Sequence, residues 1–147
     1  MAKETMQSKI AYRNNGSSRE ALKPDSPFYP ISRRRMLLQT RRCVAFLDKY
    51  PVSKGHTLVV AKTVTASLFD LPAQVQAELW DTVSRTREIL LRRFRPYGFN
   101  IGINDGEAAG QTVPHAHSHI IPRYRNDVPD PRGGIRWLIP AKARYWR

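Results

Sequence analysis

Apolar residues recur with two different periods along this chain. Cys43–Leu47 (CVAFL) reads as a strand, Asp48-Lys49-Tyr50-Pro51 as a turn, and residues 56–61 (HTLVVA) as a second strand. Together they predict a hairpin with a long connection. Over residues 72–94 the period lengthens. Val75, Leu79, Val83, Leu90 and Phe94, with Trp80 and Leu91 beside them, form an i, i+3/i+4 stripe, which predicts an amphipathic helix. Pro72 stands near its start, where a missing N–H costs little. Arginines crowd its last turn, opposite the negative end of the helix dipole, and Pro96 and Gly98 end it. Residues 99–103 read as a third strand, 114–121 as a fourth, and 64–71 hold a short helix. Strands, a long helix, then strands again predict an α+β fold, an antiparallel sheet with helix on one face.

The last strand carries the most specific chemistry. His115, His117 and His119 are three of the chain's four histidines, spaced i, i+2, i+4. Successive side chains alternate across a strand, so an extended HxHxH directs all three imidazoles to one face. Imidazole titrates near neutrality and serves both as nucleophile and as metal ligand. Zinc accepts histidine triads, but the outer two Cα atoms would lie roughly 13 Å apart at ~3.3 Å rise per residue. A metal would more naturally take two of them with a distant ligand such as His56. The alternative is nucleophilic attack on phosphorus by the middle histidine, with one neighbour at the phosphate and the other fixing its tautomer. The preceding loop, residues 104–112 (NDGEAAGQT), offers glycines for close backbone approach. Its Asn104, Gln111 and Thr112 are neutral donors suited to phosphate oxygens.

Composition narrows the partners. The chain has 147 residues, the length of one domain, and a formal net charge of +13. Such an excess points to anionic partners: nucleotides, polyphosphates or nucleic acid. No apolar run is long enough to span a bilayer, and the N-terminus has no hydrophobic signal region. A single cysteine, Cys43, excludes an internal disulfide and a cysteine-based zinc site. A reducing cytoplasm fits this usage. Residues 1–27 are polar and read as a flexible arm, 28–124 as the catalytic domain, and 125–147 as an Arg/Trp/Pro-rich segment packed on the domain or on a partner subunit, with Trp137 docked.

Residues 110–123 (GQTVPHAHSHIIPR), with the upstream block from Phe46-Leu47-Asp48 through Pro51 to Gly55-His56-Thr57-Leu58-Val59-Val60-Ala61-Lys62, resemble the signatures of the histidine triad (HIT) superfamily of nucleotide hydrolases and transferases. Asn104 and Gly106 match too, and the likeness spans roughly residues 40–123. It implies an antiparallel sheet of about five strands with one long and one short helix, paired as a two-fold dimer with a continuous sheet. It implies attack by His117 on a nucleotide α-phosphate and a nucleotidyl-histidine intermediate resolved by water. His115 and His119 would flank it and His56 complete the network. Asn104, Gln111 and Thr112 would hold phosphate or leaving-group atoms, Asp48 the ribose hydroxyls, and Phe46 would wall the base. The covalent step needs no metal, although Mg²⁺ can accompany the substrate. His119, where transferases of the superfamily carry Gln, favours a hydrolase. The spelling around it is closer to the branch cleaving dinucleoside polyphosphates, such as diadenosine tri- and tetraphosphate, than to the branch cleaving nucleoside phosphoramidates. Ser118 is polar where the superfamily prefers an apolar residue, so the opposite face of the strand is expected to be less buried. The rival from another class is a basic nucleotide- or nucleic-acid-binding module without turnover.

Overall fold

A computed structural model describes residues 21–147. Five strands form one antiparallel sheet: β1 (Met36–Gln39), β2 (Cys43–Leu47), β3 (Thr57–Ala61), β4 (Gly98–Ile103) and β5 (His117–Arg123), in the order β1-β2-β3-β5-β4. One long helix, α1 (Ala73–Phe94), joins β3 to β4. The α+β expectation and the hairpin of β2 with β3 hold. The expected short helix is a single 3-10 turn, Leu68–Asp70, capped by the Ser67 hydroxyl accepting from Phe69 N–H at 3.2 Å. Among the described residues no helix is long and apolar enough to cross a membrane.

β1 has no counterpart in the periodicity of the sequence. It is four residues long, follows three arginines, and its register shifts between Met36 and Leu38. So short and irregular a strand leaves no alternation to read. Its turn into β2 is fixed from outside. Glu78 on α1 accepts from Thr40 Oγ1 at 2.6 Å, from Arg42 N–H at 2.7 Å and from Arg42 Nη1 at 2.9 Å. Burial would raise the Glu78 pKa, but these bonds favour the charged form and hold it below the ordinary value.

The two faces of the sheet are covered differently. One packs on α1, where Cys43, Ala45, Val59, Ala61 and Ile120 meet Val75, Leu79, Val83 and Leu90. The helical stripe is the one its period predicts. Burial pushes the Cys43 thiol up to about 11, so this cysteine behaves as a small apolar group. Ser118 points to this face as well. It is fully buried and its hydroxyl has no hydrogen-bond partner among the described residues, so the face is closed here rather than loosened.

On the other face, Val44, Phe46, Leu58 and Val60 lie under Ala21, Leu22, Phe28 and Ile31. The packed chain therefore begins at least at Ala21, upstream of the expected domain boundary at 28; residues 1–20 of the expected flexible arm lie outside the described residues. At the far side of this face, the 3-10 turn Gly134–Leu138 lies over β4, and a Cβ on Gly102 would meet Ile135 Cδ1 at 3.8 Å. Trp137 was expected to dock but is 36% exposed, its indole N–H donating to Arg132 O at 2.8 Å. The packed ring is Trp146, which leaves room only for a glycine at 133, where a Cβ would come within 2.9 Å of it.

Gly55 closes the β2–β3 connection at φ +89°, and a Cβ there would lie 2.8 Å from Phe94 Cδ2. Gly55→Ala therefore combines backbone strain with a steric clash. It should cost about 2 kcal/mol of stability, read as a lower midpoint in thermal unfolding.

Candidate active site

The part of the sheet between residues 21–31 on one side and Gly134–Leu138 on the other carries His117, which is 8% exposed, and the half-buried His119. Register pairs His117 with Val60, and His119 with Leu58 and Gly102, so both imidazoles stand on the face away from α1. Their ring centroids are 4.9 Å apart. His115 is not on the strand. Pro114 has no N–H to give, and Ala116 N–H goes to Thr65 O at 2.7 Å rather than to the ladder, so β5 starts at His117. The expected row of three strand histidines on one face is thus a strand pair preceded by a third histidine outside the ladder.

Backbone groups decide the tautomers, because a carbonyl only accepts and an amide only donates. His117 Nδ1 lies 2.8 Å from His115 O, so Nδ1 carries the proton and neutral His117 has a lone pair on Nε2. His115 Nε2 lies 2.8 Å from Ala61 O, so Nε2 is protonated and Nδ1 accepts from the Ser26 hydroxyl at 2.8 Å. His56 Nδ1 accepts from Val52 N–H at 3.2 Å, which places its proton on Nε2, 3.0 Å from His119 Nδ1. His119 then presents Nε2–H. The sequence assigned tautomer control of His117 to a neighbouring imidazole; the group that does it is the main-chain carbonyl of His115.

Burial lowers the pKa of all three supporting histidines. For His56 the nearby Asp48 carboxylate opposes the shift only in part. For His115 the bond to Ala61 O opposes it. His119 is brought down to about 4 by burial and by the neighbouring His117 and His56. All three are neutral at pH 7, as the tautomer pattern requires.

The remaining predicted residues divide. Asp48 stands beside this pair, with Oδ2 3.6 Å from His56 Nε2 and Oδ1 accepting from Tyr50 N–H at 2.9 Å. Asn104 lines a cleft of about 390 Å³ together with His56, His119, Asn100, Ile135 and Leu138. Thr112 is exposed on the loop. Gln111 braces that loop instead of facing the histidines: its amide donates to Ala66 O and Val113 O, and its Oε1 accepts from Gly106 N–H. Phe46, expected to wall a base, is fully buried. Phe28 covers it at a centroid distance of 5.5 Å and stands edge-on to His117 at 5.2 Å, so the apolar wall beside His117 is Phe28. Neither Phe28 nor Ser26 was read as a site residue. The one signal for them was an aromatic pair between prolines, Ser26-Pro27-Phe28-Tyr29-Pro30, in a segment otherwise polar.

Asp48, His56 and His119 bring ligand atoms within 4.8 Å of one another, the spacing of a metal site. The tautomers oppose it. With His56 Nδ1 accepting from Val52, its Nε2 holds a proton, and ligation there would require an imidazolate or the loss of that bond.

Sheet order, helix and histidines together define a histidine-triad protein. The HIT domain model matches residues 32–126, and the chain belongs to that family. Bis(5'-nucleosyl)-tetraphosphatase [asymmetrical] of Schizosaccharomyces pombe is 37% identical over 93 residues, covering 63% of this chain and 51% of that protein. Bis(5'-adenosyl)-triphosphatase of Dictyostelium discoideum is 34% identical over 97 residues, covering 66% of this chain and 65% of that one. A crystal structure of a HIT family protein from Bacillus anthracis aligns with a TM-score of 0.60 at 38% identity, covering 63% of this chain and 66% of the other. The matched part is thus about half the length of the Schizosaccharomyces protein, at 51%.

Histidines whose folded pKa is depressed leave the unfolded chain holding more protons below its ordinary value of about 6.5. Their contribution to stability is therefore present above that pH and is lost as pH falls toward about 4, the His119 value. The thermal midpoint should drop between pH 6.5 and 4.5, and His119→Gln should flatten that slope; a pH-independent midpoint would contradict the burial argument.

Proposed function

We propose that this protein hydrolyses a nucleoside phosphoanhydride at the α-phosphate through a nucleotidyl intermediate on His117, with dinucleoside polyphosphates of the diadenosine type as substrate. The observation that carries this reading is the bond from His117 Nδ1–H to His115 O, which leaves Nε2 as a lone-pair nucleophile with no hydrogen-bond partner among the described residues. Nε2 attacks phosphorus, the P–O bond to the rest of the substrate breaks, and the departing nucleotide takes the electron pair. The intermediate is a nucleotidyl-imidazolium whose charge faces the His115 carbonyl. Water then attacks phosphorus, His117 leaves as neutral imidazole, and the water's second proton goes to solvent or to the phosphate products. Splitting one slow displacement in two is what a covalent intermediate accomplishes.

The state of His119 bears on substrate choice. Lowered to about 4 by burial and by the neighbouring His117 and His56, it is neutral at pH 7 and donates a hydrogen bond. A phosphoanhydride needs no proton from it, because its leaving nucleotide is already a stable anion. The geometry supports two nucleosides as well. The histidines lie between an apolar wall at Phe28 and another at Ile135 and Leu138, which are 63% and 71% exposed beside the cleft. Asp48 is the candidate for ribose hydroxyls, and Mg²⁺ travels with the polyphosphate while the covalent step uses no metal. β4 is an edge strand, which supports the expected two-fold dimer with a continuous sheet. The nucleic-acid reading is weakened by where the C-terminal arginines go: Arg132 to Asp130 and the Trp146 ring, Arg136 to two carbonyls and the Tyr145 ring, Arg144 to the Trp137 ring.

His117→Asn should abolish turnover of diadenosine tri- and tetraphosphate, followed by product separation, while equilibrium nucleotide binding persists. Wild-type-like turnover in that variant would sink the mechanism, and no product from either substrate would favour a binding protein. Activity should survive a zinc-selective chelator with Mg²⁺ supplied. Ile135→Ser should raise KM for the dinucleotide about fivefold, on the order of 1 kcal/mol of apolar contact, with kcat little changed.

A further inference from the structure

Ser26 is only 4% exposed and reaches across 89 positions of sequence to His115 Nδ1 at 2.8 Å. Its oxygen accepts from Phe28 N–H at 3.2 Å, which leaves the hydroxyl proton to be donated to the imidazole. His115 Nε2–H is used on Ala61 O, so Nδ1 of the neutral ring can act only as acceptor. The His115 side chain is therefore held at both nitrogens, by the N-terminal segment on one side and by the end of β3 on the other.

That double anchor adds to one on the main chain, because the His115 carbonyl shares a rigid peptide plane with Ala116 N–H, which donates to Thr65 O at 2.7 Å. The residue lies before β5 and outside its ladder, between Pro114 and an Ala116 whose amide is turned to Thr65 O. Yet its carbonyl is the group that fixes the His117 proton on Nδ1. We infer that Ser26 is a positioning residue for His117: by pinning the His115 ring it aims the His115 carbonyl, and so keeps the attacking nitrogen unprotonated. The chain of contacts runs from Phe28 N–H to the Ser26 hydroxyl, to the His115 ring, and through the His115 carbonyl to His117. Residues 21–31 thus do more than cover Phe46. They connect the N-terminal segment to the tautomer of the nucleophile.

Without the hydroxyl, the buried Nδ1 of His115 has no donor. The ring is then driven to flip or change tautomer, because a buried acceptor left without a donor is unfavourable. The inference rests on His117 as the nucleophile, and the test separates the two claims by reading the tautomer directly. Full-length protein carrying ¹⁵N-histidine gives the protonation of each ring nitrogen by NMR, with His117 assigned through His117→Asn. Wild type should show His117 protonated at Nδ1 and bare at Nε2. Ser26→Ala should show a second tautomer at His117. Its kcat should fall about tenfold, equivalent to about 1.4 kcal/mol at the transition state, with KM within about twofold. Ser26→Thr, which keeps the hydroxyl, should restore both. Should the alanine variant fail to fold, Ser26→Cys, near-isosteric with a weak donor, gives the same readings. An unchanged His117 tautomer in the folded Ala or Cys variant overturns the inference. So does a loss of kcat shared equally by Ala and Thr with the tautomer intact. If the tautomer responds to Ser26 but wild type turns over no nucleotide, the proposed function fails and the positioning role stands.

Discussion

Two backbone groups with fixed hydrogen-bonding roles decide the state of the whole histidine cluster. The His115 carbonyl can only accept, and the Val52 amide can only donate. The first forces a lone pair onto His117 Nε2. The second forces a proton onto His56 Nε2, and through it makes His119 an acceptor at Nδ1 and a donor at Nε2. Burial keeps the supporting imidazoles neutral, so these assignments hold at physiological pH. At His56 a main-chain amide occupies Nδ1, which leaves Nε2 protonated and turned to His119.

The same face of the sheet owes its shape to two terminal segments. Residues 21–31 bury Phe46, Val44, Leu58 and Val60, and the Gly134–Leu138 turn covers β4. Between them lies the cleft lined by His56 and His119, with His117 beside it. Without the first segment, Phe46 would be exposed apolar surface next to the site. Both segments are therefore packing elements and site walls at once, and the Ser26–His115 bond ties the first of them to the chemistry.

Much of this was legible in the residues. The helix over residues 73–94 has the stripe its period predicts, and β2, β3 and β4 lie where their apolar runs place them. His117 and His119 share a face, as alternate strand residues must. The misreadings have physical reasons too. β1 is too short and too irregular to show a period, and it depends on Glu78 from a helix more than 35 residues away in sequence. His115 obeys the spacing but not the strand, because Pro114 and the Thr65 carbonyl withdraw it from the ladder. Phe46 looked like a wall because strand alternation gives its face and not what lies over it. Gln111 looked like a phosphate donor because its own loop's need for a brace is invisible until the loop is folded.

By itself, the sequence determined whatever depends on local period and residue chemistry: the α+β order, one apolar face of α1, two imidazoles on one side of β5, and a basic chain suited to anions. Tertiary structure alone decided which nitrogen of each imidazole is free, which aromatic stands beside His117, and which polar residues face the cleft. Those depend on bonds between Ser26 and His115, Ala61 and His115, and Val52, His56 and His119. A hydrogen bond between residues far apart in the chain leaves no period behind, and it comes into being only when the sheet brings its partners within 3 Å or so.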